Sequence, residues 1–265
     1  MSEMSDILFE EARRRLSQVR NIVAVTAGKG GVGKSFVSTS LALALAERGK
    51  KVGLLDLDVH GSSVPIMLGL KEEVRAGKEG FRPVRKHNVE IMSIGLLTKD
   101  SPVLIKGKDK MDLITSLVAL TSWGNLDYLV IDLPPGTGDE VLWVIRVIRN
   151  LRSAGALVVT MPSMLSRSVV RKSLRLLVDE GIRILGLVEN MSYFKCGKEE
   201  IRPFGYGSGE DLAKEFKTRL LVRLPIEPRV EKAMDEGYPP YLASNELRTT
   251  FSSLAAAVES LLQKA

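Results

Sequence analysis

Short apolar runs recur along the chain, and they lack the strict alternation of apolar and polar positions that marks a strand with one face in water. Such runs predict strands that are buried on both faces, as in a parallel sheet covered by helices. The predicted strands are Ile22–Thr26, Val52–Asp56, Val89–Ile94, Tyr128–Asp132, Leu157–Met161, Ile184–Glu189 and Leu220–Leu224.

Segments with apolar residues at helical spacing lie between these strands. The predicted helices are Lys34–Arg48, Met111–Thr121, Asp139–Leu151, Ser163–Glu180, Gly209–Lys217, Pro228–Glu236 and Asn245–Lys264. The alternation predicts an α/β fold with a mainly parallel, doubly wound sheet flanked by helices. Residues 1–20 are expected to form an amphipathic lead helix, and residues 21–265 a single domain.

Two stretches, Lys71–Lys110 and Ser192–Ser208, interrupt this alternation. The first is basic and contains glycines, with a weak strand in its middle. The second holds glycines, aromatic residues and a cysteine. Both are predicted to be surface loops, which often carry function on α/β scaffolds.

The most specific local pattern is Gly28-Lys29-Gly30-Gly31-Val32-Gly33-Lys34-Ser35, between the first predicted strand and the first long predicted helix. It fits G-x-x-x-x-G-K-[ST] in the strand–loop–helix context that a P-loop requires. The glycines allow a tight turn whose backbone N–H groups bind phosphate oxygens at a helix N-terminus. Lys34 is expected to neutralise the β- and γ-phosphates, and the Ser35 hydroxyl to bind Mg²⁺. The flanking elements disfavour a glycine-rich turn without chemistry.

Three aspartates lie at or just beyond the ends of predicted strands. Asp56 and Asp58 follow the second strand, and Asp132 ends Tyr128–Asp132. Ligands of open α/β sheets bind at the carboxyl ends of the strands, so the three are expected to converge on one Mg²⁺–phosphate group. Any one of them could instead cap a helix. Three acids beside a P-loop favour a Mg²⁺-dependent nucleoside triphosphatase.

The composition indicates the cellular location more clearly than it indicates the binding partner. The 265 residues include 38 Lys and Arg against 32 Asp and Glu, and the net charge of +6 favours anionic partners without naming one. One cysteine, Cys196, excludes an intrachain disulfide, and with only His60 and His87 a Cys/His zinc cluster within one chain is also excluded. We expect a reducing, cytoplasmic location. Neither a membrane-spanning run nor the apolar core of a signal peptide is visible, so no membrane partner is expected.

These motifs resemble those of the MinD/ParA/Mrp group of P-loop ATPases, whose deviant Walker A motif has an extra lysine, here Lys29. The segment Asp132–Asp139 resembles the second switch of the Mrp/Nbp branch, whose members handle iron–sulfur clusters. Further matching segments are Asn190–Phe194, Phe204-Gly205 with Gly207–Gly209, and Leu224–Pro228. The resemblance covers nearly the whole chain from Asn21 onward.

The resemblance implies roles for single residues. Lys29 is similar to the lysine that reaches the partner's nucleotide in dimers of this group, which implies a homodimer. Asp58 is similar to the first-switch aspartate that orients the attacking water, so the implied catalytic residues are Lys29, Lys34 and Asp58. Asp56 and Asp132 resemble acids that hold Mg²⁺ through water, with Ser35 as the third residue of the metal site.

The resemblance also implies the nucleotide contacts. Asn190 is similar to the residue that reads the adenine edge, and the segment around Pro225 would line the base. The implied nucleotide-binding residues are Gly28, Lys29, Gly30, Gly31, Val32, Gly33, Lys34, Ser35, Asn190, Pro225, Ile226 and Glu227. The implied function is a Mg²⁺-dependent ATPase that binds and hydrolyses ATP as a homodimer to carry or assemble iron–sulfur clusters for apoprotein clients.

The chain departs from the Mrp pattern at Cys196. The branch usually carries Cys-x-x-Cys after the Asn-Met-Ser-Tyr-Phe segment, and two such pairs give a bridging cluster four thiolates. Two copies of this chain supply two thiolates, whereas iron–sulfur clusters normally have four protein ligands. Cys196 could hold a labile bridging cluster, be the remnant of a lost site, or be an apolar packing residue. His60 replaces the tyrosine or similar residue that is common after the first-switch acids, and a loop-packing role is favoured for it over a catalytic or metal role.

A partition-type or positioning-type ATPase is the competing interpretation. Arg167, Arg171 and Arg175 share one face of a predicted helix and could contact DNA phosphates, although a solvated surface is favoured. The predicted helix Asn245–Lys264 carries an apolar stripe. We expect that stripe to pack on the core instead of on a membrane, because few basic residues flank it.

Overall fold

The structure is a computed structural model that describes residues 3–59, 61–77, 80–98, 107–151 and 153–263. Its strands are β1 (Asn21–Ala27), β2 (Val52–Asp56), β3 (Arg75–Gly77), β4 (Gly80–Arg82), β5 (Val84–Lys86), β6 (Val89–Ser93), β7 (Tyr128–Asp132), β8 (Ala154–Thr160), β9 (Ile184–Cys196), β10 (Glu199–Ile201) and β11 (Leu220–Pro225). Its helices are α1 (Glu3–Leu16), α2 (Lys34–Glu47), α3 (Val64–Met67), α4 (Gly95–Thr98), α5 (Gly107–Leu120), α6 (Asp139–Ile148), α7 (Met164–Asp179), α8 (Ser208–Glu215), α9 (Arg229–Asp235) and α10 (Asn245–Gln263), with a 3₁₀ turn at Pro240–Ala243.

Parallel strands form the centre of the main sheet, in the order β11-β9-β8-β1-β7-β2-β6. β5 pairs antiparallel with β6, and β10 pairs antiparallel with the last residues of β9. In the register of β2 and β7, Asp56 lies directly opposite Asp132. The carboxyl ends of these strands therefore place two acids side by side at one edge of the sheet.

Both faces of the sheet are covered by helices. In β1, Val23 and Val25 pack into one apolar cluster together with α2 and α10. The alternate residues Ile22 and Ala24 pack into a second cluster with α5, α6 and α7. Because successive strand side chains point to opposite faces, both sets must be apolar, which explains the runs without alternation. The predicted fold class, a doubly wound α/β sheet, is confirmed.

The predicted elements are present with changes mainly at their ends. β8 begins at Ala154, three residues before the predicted start, and α5 begins at Gly107 instead of Met111. The largest change is in β9, which continues past Glu189 to Cys196. Its burial falls along its length, from buried residues in the sheet to exposed residues at its end. Beyond Glu189, buried, half-buried and exposed residues follow one another without a continuous apolar run, so the sequence did not predict this part of the strand.

The prediction that Lys71–Lys110 and Ser192–Ser208 are surface loops is wrong in part, because both contain strands. The segment Ser192–Ser208 contains the end of β9 and all of β10, joined by a turn in which Gly197 adopts a left-handed φ of 62°. The segment Lys71–Lys110 contains β3, β4, β5 and α4 besides the predicted strand, and residues 78–79 and 99–106 lie outside the described part. Three-residue strands are held by backbone pairing and are too short to show a periodicity.

The last helix packs as expected. Leu247, Phe251, Leu254 and Val258 of α10 are fully buried against α2 and the sheet, so the apolar stripe belongs to the core. At the other end of the chain, α1 lies on α5 and α6. Within the described ranges, no helix combines the length and the apolar character that crossing a membrane requires.

Candidate functional site

The glycine-rich turn joins β1 to α2 at the carboxyl edge of the sheet. Gly31 and Gly33 adopt left-handed φ values of 78° and 79°, which residues with a side chain rarely adopt. Gly28 is needed for a different reason, since a Cβ there would lie 2.7 Å from the backbone of Val169 in α7. The turn thus reaches its shape through backbone freedom at two glycines and close packing at a third.

Lys34 begins α2 and is almost fully buried, with 7% of its side chain exposed. Its Nζ lies 2.7 Å from Oδ1 of Asp132 and 3.9 Å from Oδ2 of Asp58. The Ser38 hydroxyl donates to the same oxygen of Asp132 at 2.6 Å. A buried charge is tolerated when it is paired and hydrogen-bonded, and this ammonium meets both conditions.

Asp56 is held by hydroxyl groups. The hydroxyls of Ser62 and Ser93 donate to its Oδ2 at 2.6 Å and 2.8 Å. Burial, reinforced by the neighbouring Asp132 carboxylate, raises the pKa of Asp56 above its usual range. Two carboxylates side by side in the protein interior create a negative potential, which attracts a cation to this position.

Asp58 lies closer to solvent, at the mouth of the site. Its backbone N–H donates to Oδ1 of Asp56 at 3.1 Å, and its own Oδ1 accepts from the N–H of Gly61 at 3.2 Å. It lines a cleft of about 380 Å³, here called the phosphate cleft. Other residues that line the phosphate cleft are Lys29, Gly30, Gly31, Gly33, Lys34, Ser35, Phe36, Ser63 and Pro135.

The donor set fits a magnesium ion held mainly by phosphate and water. Oδ2 of Asp132 is buried without a hydrogen-bond partner, and Ser35 lines the adjoining phosphate cleft. No group of three His, Cys, Asp or Glu side chains in the part of the chain that the structure describes could hold a metal by itself. Mg²⁺ usually binds through one or two protein oxygens together with substrate phosphates, which is what this arrangement offers.

A second and more apolar cavity of about 570 Å³, here called the base pocket, adjoins the phosphate cleft. Both cavities are lined by Gly31, Gly33, Phe36 and Met67. Further residues that line the base pocket are Asn190, Met191, Phe204, Pro225, Ile226, Glu227, Pro228, Val230, Glu231 and Met234. An apolar cavity with few polar groups next to a phosphate-binding turn has the form that a nucleoside requires.

Asn190 connects the base pocket to the P-loop. Its Nδ2 donates to the backbone carbonyl of Val32 at 2.9 Å, and a Cβ at Gly33 would lie only 2.1 Å from that nitrogen. Met191, the next residue, has a left-handed φ of 52° although it carries a side chain. The backbone of β9 thus departs from extended geometry at Met191, where the pairing of β9 with β11 also shifts register.

The structure brings most of the predicted site residues together. The predicted residues in the turn other than Gly28 and Val32 line the phosphate cleft with Asp58, and the segment Pro225–Glu227 lines the base pocket with Asn190. Gly28, Val32, Asp56 and Asp132 are buried behind these walls. His60 lies outside the described residues. The individual roles of all these residues stay predictions.

Sequence reasoning missed the hydroxyls that hold the acids. Ser38, Ser62 and Ser93 come from a helix, a loop and a neighbouring strand, and each donates to Asp56 or Asp132. Serine is common and its hydroxyl has no characteristic spacing, so the sequence carried no signal for them. Phe204 was part of a matching segment, but its place in the base pocket follows only from the fold.

Cys196 lines neither cavity. It is an exposed free thiol at the end of β9, in a segment that we call the cysteine hairpin (Phe194–Ile201). Cys196 lies six residue steps beyond Asn190 along β9, which in regular strand corresponds to about 20 Å. The thiol is exposed enough to meet a ligand or a partner, which excludes a buried packing role.

The basic face of α7 is neutralised in part by α8. Arg167 forms an ion pair with Asp211 at 2.8 Å, and Arg171 forms one with Glu215 at 2.7 Å. The Arg171 guanidinium, helped by the nearby Arg167 and Arg175 charges, holds the pKa of Glu215 below its usual value. Charges that are already paired give DNA phosphates little to bind, so the structure favours the solvated-surface interpretation.

Known proteins resemble this chain in sequence and in fold. The family model for NUBPL iron-transfer P-loop NTPases matches residues 18–262. An iron-sulfur cluster carrier protein from Aquifex aeolicus is 39% identical over 260 residues, which are 95% of this chain and 70% of that protein. The cytosolic Fe-S cluster assembly factor NUBP2 from Homo sapiens is 43% identical over 231 residues, 84% of this chain and 85% of that protein.

Solved structures of similar fold include nucleotide-bound proteins. A nucleotide-binding protein from Archaeoglobus fulgidus, solved with ADP, is 36% identical with a TM-score of 0.74, over 88% of this chain and 92% of that one. MinD from Pyrococcus horikoshii, solved with Mg-ADP, is 24% identical with a TM-score of 0.65, over 91% and 96% of the two chains, and shows the shared fold. These matches confirm the resemblance found in the sequence motifs. The chain therefore belongs to the NUBPL iron-transfer P-loop NTPase family.

Proposed function

We propose that this protein is a cytoplasmic, Mg²⁺-dependent ATPase that acts as a homodimer and carries or assembles iron–sulfur clusters for apoprotein clients. Nucleotide binding is supported by the phosphate cleft and the base pocket, which share a wall at the P-loop. The cluster step is supported by the iron-sulfur cluster carrier and Fe-S assembly factor among the relatives. The word cytosolic in the name of one relative supports the location.

In the proposed reaction the P-loop amides and Lys34 bind the phosphates. Mg²⁺ would be held by the Ser35 hydroxyl with the carboxylates of Asp132 and Asp56 behind it, and it would neutralise charge on the β- and γ-phosphates. Lys34 exchanges its ion pair with Asp132 for the phosphate oxygens. Asp58, at the mouth of the cleft, orients the water that attacks the γ-phosphorus.

Lys29 supports the dimer. It lines the phosphate cleft, and no hydrogen bond or ion pair joins it to any other described residue. A cation in this position can contact the nucleotide of a neighbouring copy, in the way that an arginine finger acts in trans. Two copies facing each other across their clefts would each complete the other's site.

One observation carries the link between nucleotide and cluster: the same strand, β9, contacts the P-loop at Asn190 and ends at Cys196. Asn190 bonds the P-loop, and three residues further on the backbone carbonyl of Tyr193 accepts from the N–H of Ile226, a base-pocket residue, at 2.6 Å. The strand then continues into the cysteine hairpin. A nucleotide that shifts Ile226 would therefore also shift the strand that ends in Cys196.

Cys196 would bind the cluster at the dimer interface. Two copies provide two thiolates, so the cluster is bridging and labile, with its other positions filled by non-cysteine groups or a small thiol. A labile site suits a protein that passes its cluster to clients. This distinguishes a carrier from an enzyme that keeps its cluster.

Anaerobic reconstitution with iron and sulfide tests the cluster step. We expect the wild type to gain visible absorption and iron, and Cys196→Ser to lose both while its ATP affinity stays within about 2-fold, because the thiol lies outside both cavities. Ser252→Ala, a change on the solvent side of α10, is the control that keeps the colour. A wild type without iron, or a Cys196→Ser protein that binds as much iron as the wild type, would contradict a cluster on Cys196.

A further inference from the structure

Glu189 is a fully buried acidic residue next to the base pocket, and the proposed reaction does not use it. Its Oε1 accepts from the Ser192 hydroxyl at 2.7 Å and from Nε of Arg223 at 3.3 Å. Its Oε2 accepts from the backbone N–H of Gly209 at 2.8 Å. Both carboxylate oxygens are therefore occupied by donors from different parts of the chain.

These donors belong to segments that form the walls of the base pocket. Arg223 lies in β11, two residues before Pro225 and the rest of that wall. Gly209 lies in the first turn of α8, directly after the loop that places Phe204 in the pocket. The third donor, Ser192, shares a strand with the pocket residues Asn190 and Met191. One carboxylate thus ties three pocket walls together.

The local geometry leaves little freedom at this point. The Ser192–Glu189 hydrogen bond spans Met191, whose left-handed φ of 52° needs support from its surroundings. On one side, Asn190 is so close to the P-loop that a Cβ at Gly33 would lie 2.1 Å from it. On the other side, a Cβ at Gly209 would lie 2.8 Å from Oε2 of Glu189. A small shift of the carboxylate therefore moves Asn190 and Met191.

We propose that Glu189 is a positioning residue that sets the affinity of the base pocket for the nucleoside part of ATP, by fixing the three walls around one buried carboxylate. The phosphate cleft has its own supports, Lys34, Asp132 and Ser38, none of which contacts Glu189. Glu189 reaches the phosphate cleft through Asn190, whereas it reaches the base pocket through three walls, so a change at Glu189 should disturb the base pocket more than the cleft. The inference rests on the proposed function, because it takes ATP as the ligand.

The test compares ATP with inorganic tripolyphosphate, each with Mg²⁺, by calorimetry on the full chain. Glu189→Gln keeps the size of the side chain but replaces one acceptor oxygen with a donor, which faces either Gly209 N–H or the Ser192 and Arg223 donors. We expect ATP affinity to fall about 10-fold, as for the loss of one charge-assisted hydrogen bond, and tripolyphosphate affinity to stay within about 2-fold. A residue that served stability alone would not change the ratio of the two affinities.

Glu259→Gln is the matched control. Glu259 is also a nearly buried glutamate in ion pairs, with Arg48 at 2.6 Å and Lys50 at 3.5 Å, but it lies on α10 and lines neither cavity. Its variant should lose stability and keep the wild-type ratio of ATP to tripolyphosphate affinity. Ser192→Ala removes a single neutral donor to Glu189 and gives a smaller change in the same direction, about 3-fold, should Glu189→Gln not fold.

The outcomes separate the inference from the function beneath it. A wild type that binds tripolyphosphate but gains nothing from the nucleoside of ATP would overturn the proposed function and the inference with it. A wild type that binds ATP, with variants whose two affinities are unchanged or fall equally, would overturn the inference alone. A selective loss of ATP affinity supports it.

Discussion

The phosphate cleft and the cysteine hairpin are linked by β9, which contacts the P-loop at Asn190 and ends at Cys196. The two regions differ in how deeply their residues are buried. In the cleft, Lys34 and Asp132 are 7% and 0% exposed and in direct contact. In the hairpin, Cys196 and its neighbours are exposed and are held by a short antiparallel pairing with β10. Outside that pairing, Tyr193 and Lys195 connect the strand to Glu246 of α10.

The fold depends on the buried contacts of the cleft and much less on those of the hairpin. Each buried charge in the cleft is tolerated only because another group compensates it, so a single change removes both binding and stability. The hairpin groups are solvated, and their contacts contribute little to the free energy of folding. A surface of this kind can change its ligands without endangering the fold.

The largest effect is expected from Lys34→Ala. The variant should lose measurable ATP binding and about 3–5 kcal/mol of unfolding free energy, because Asp132 stays buried without its cation. Calorimetry and urea denaturation measure the two losses. Arg149→Ala, which removes an exposed partner of Glu180, should cost less than about 1 kcal/mol. A Lys34→Ala protein as stable as the wild type would contradict the role given to this buried pair.

Asp58→Ala should separate binding from chemistry. The side chain lies at the mouth of the cleft, so we expect ATP affinity to change only a few-fold while kcat falls about 10²–10⁴-fold. Phosphate release under saturating ATP measures the turnover. Normal turnover in this variant would show that another group orients the water.

Lys29→Ala should weaken the dimer and spare the monomer. With ATP and Mg²⁺ present, we expect the dimer dissociation constant to rise about 10-fold or more, while ATP binding to the monomer is nearly unchanged. Light scattering after size exclusion reports the mass. Lys51→Ala, at the amino edge of β2 and away from the cleft, is the control. An unchanged ATP-dependent mass would rule out the action in trans.

The smallest effect is expected from Tyr193→Phe. Tyr193 and Lys195 form hydrogen bonds with Glu246 of α10, and we call these contacts the hairpin anchor. The lost hydrogen bond to Glu246 should cost about 1 kcal/mol locally, faster amide exchange appearing in the hairpin and not in the P-loop. Lys195 and Tyr193 hold the pKa of Glu246 below its usual value. The anchor is therefore intact at neutral pH and is lost as the pH falls through that lowered value. Equal exchange rates in the variant and the wild type would mean that β10 alone holds the hairpin.

Sequence reasoning succeeded where local chemistry leaves one solution. The P-loop motif requires Gly28 and Gly33 followed by Lys34, and the structure has close packing at Gly28 and left-handed backbone at Gly33. Strands buried on both faces must be continuously apolar, so they were visible as runs. It failed at the cysteine hairpin, because three residue pairs are too few to leave a periodic pattern in the sequence.

The sequence is sufficient for three features of this protein, which are the alternating α/β order, the P-loop and the count of one cysteine per chain. Each of them depends on consecutive residues or on composition. The tertiary structure alone decided the rest. It set Asp56 against Asp132, brought Ser38, Ser62 and Ser93 to their oxygens, and centred three pocket walls on Glu189. Those contacts join residues far apart in the chain, and only sheet register and helix packing bring them within hydrogen-bonding distance.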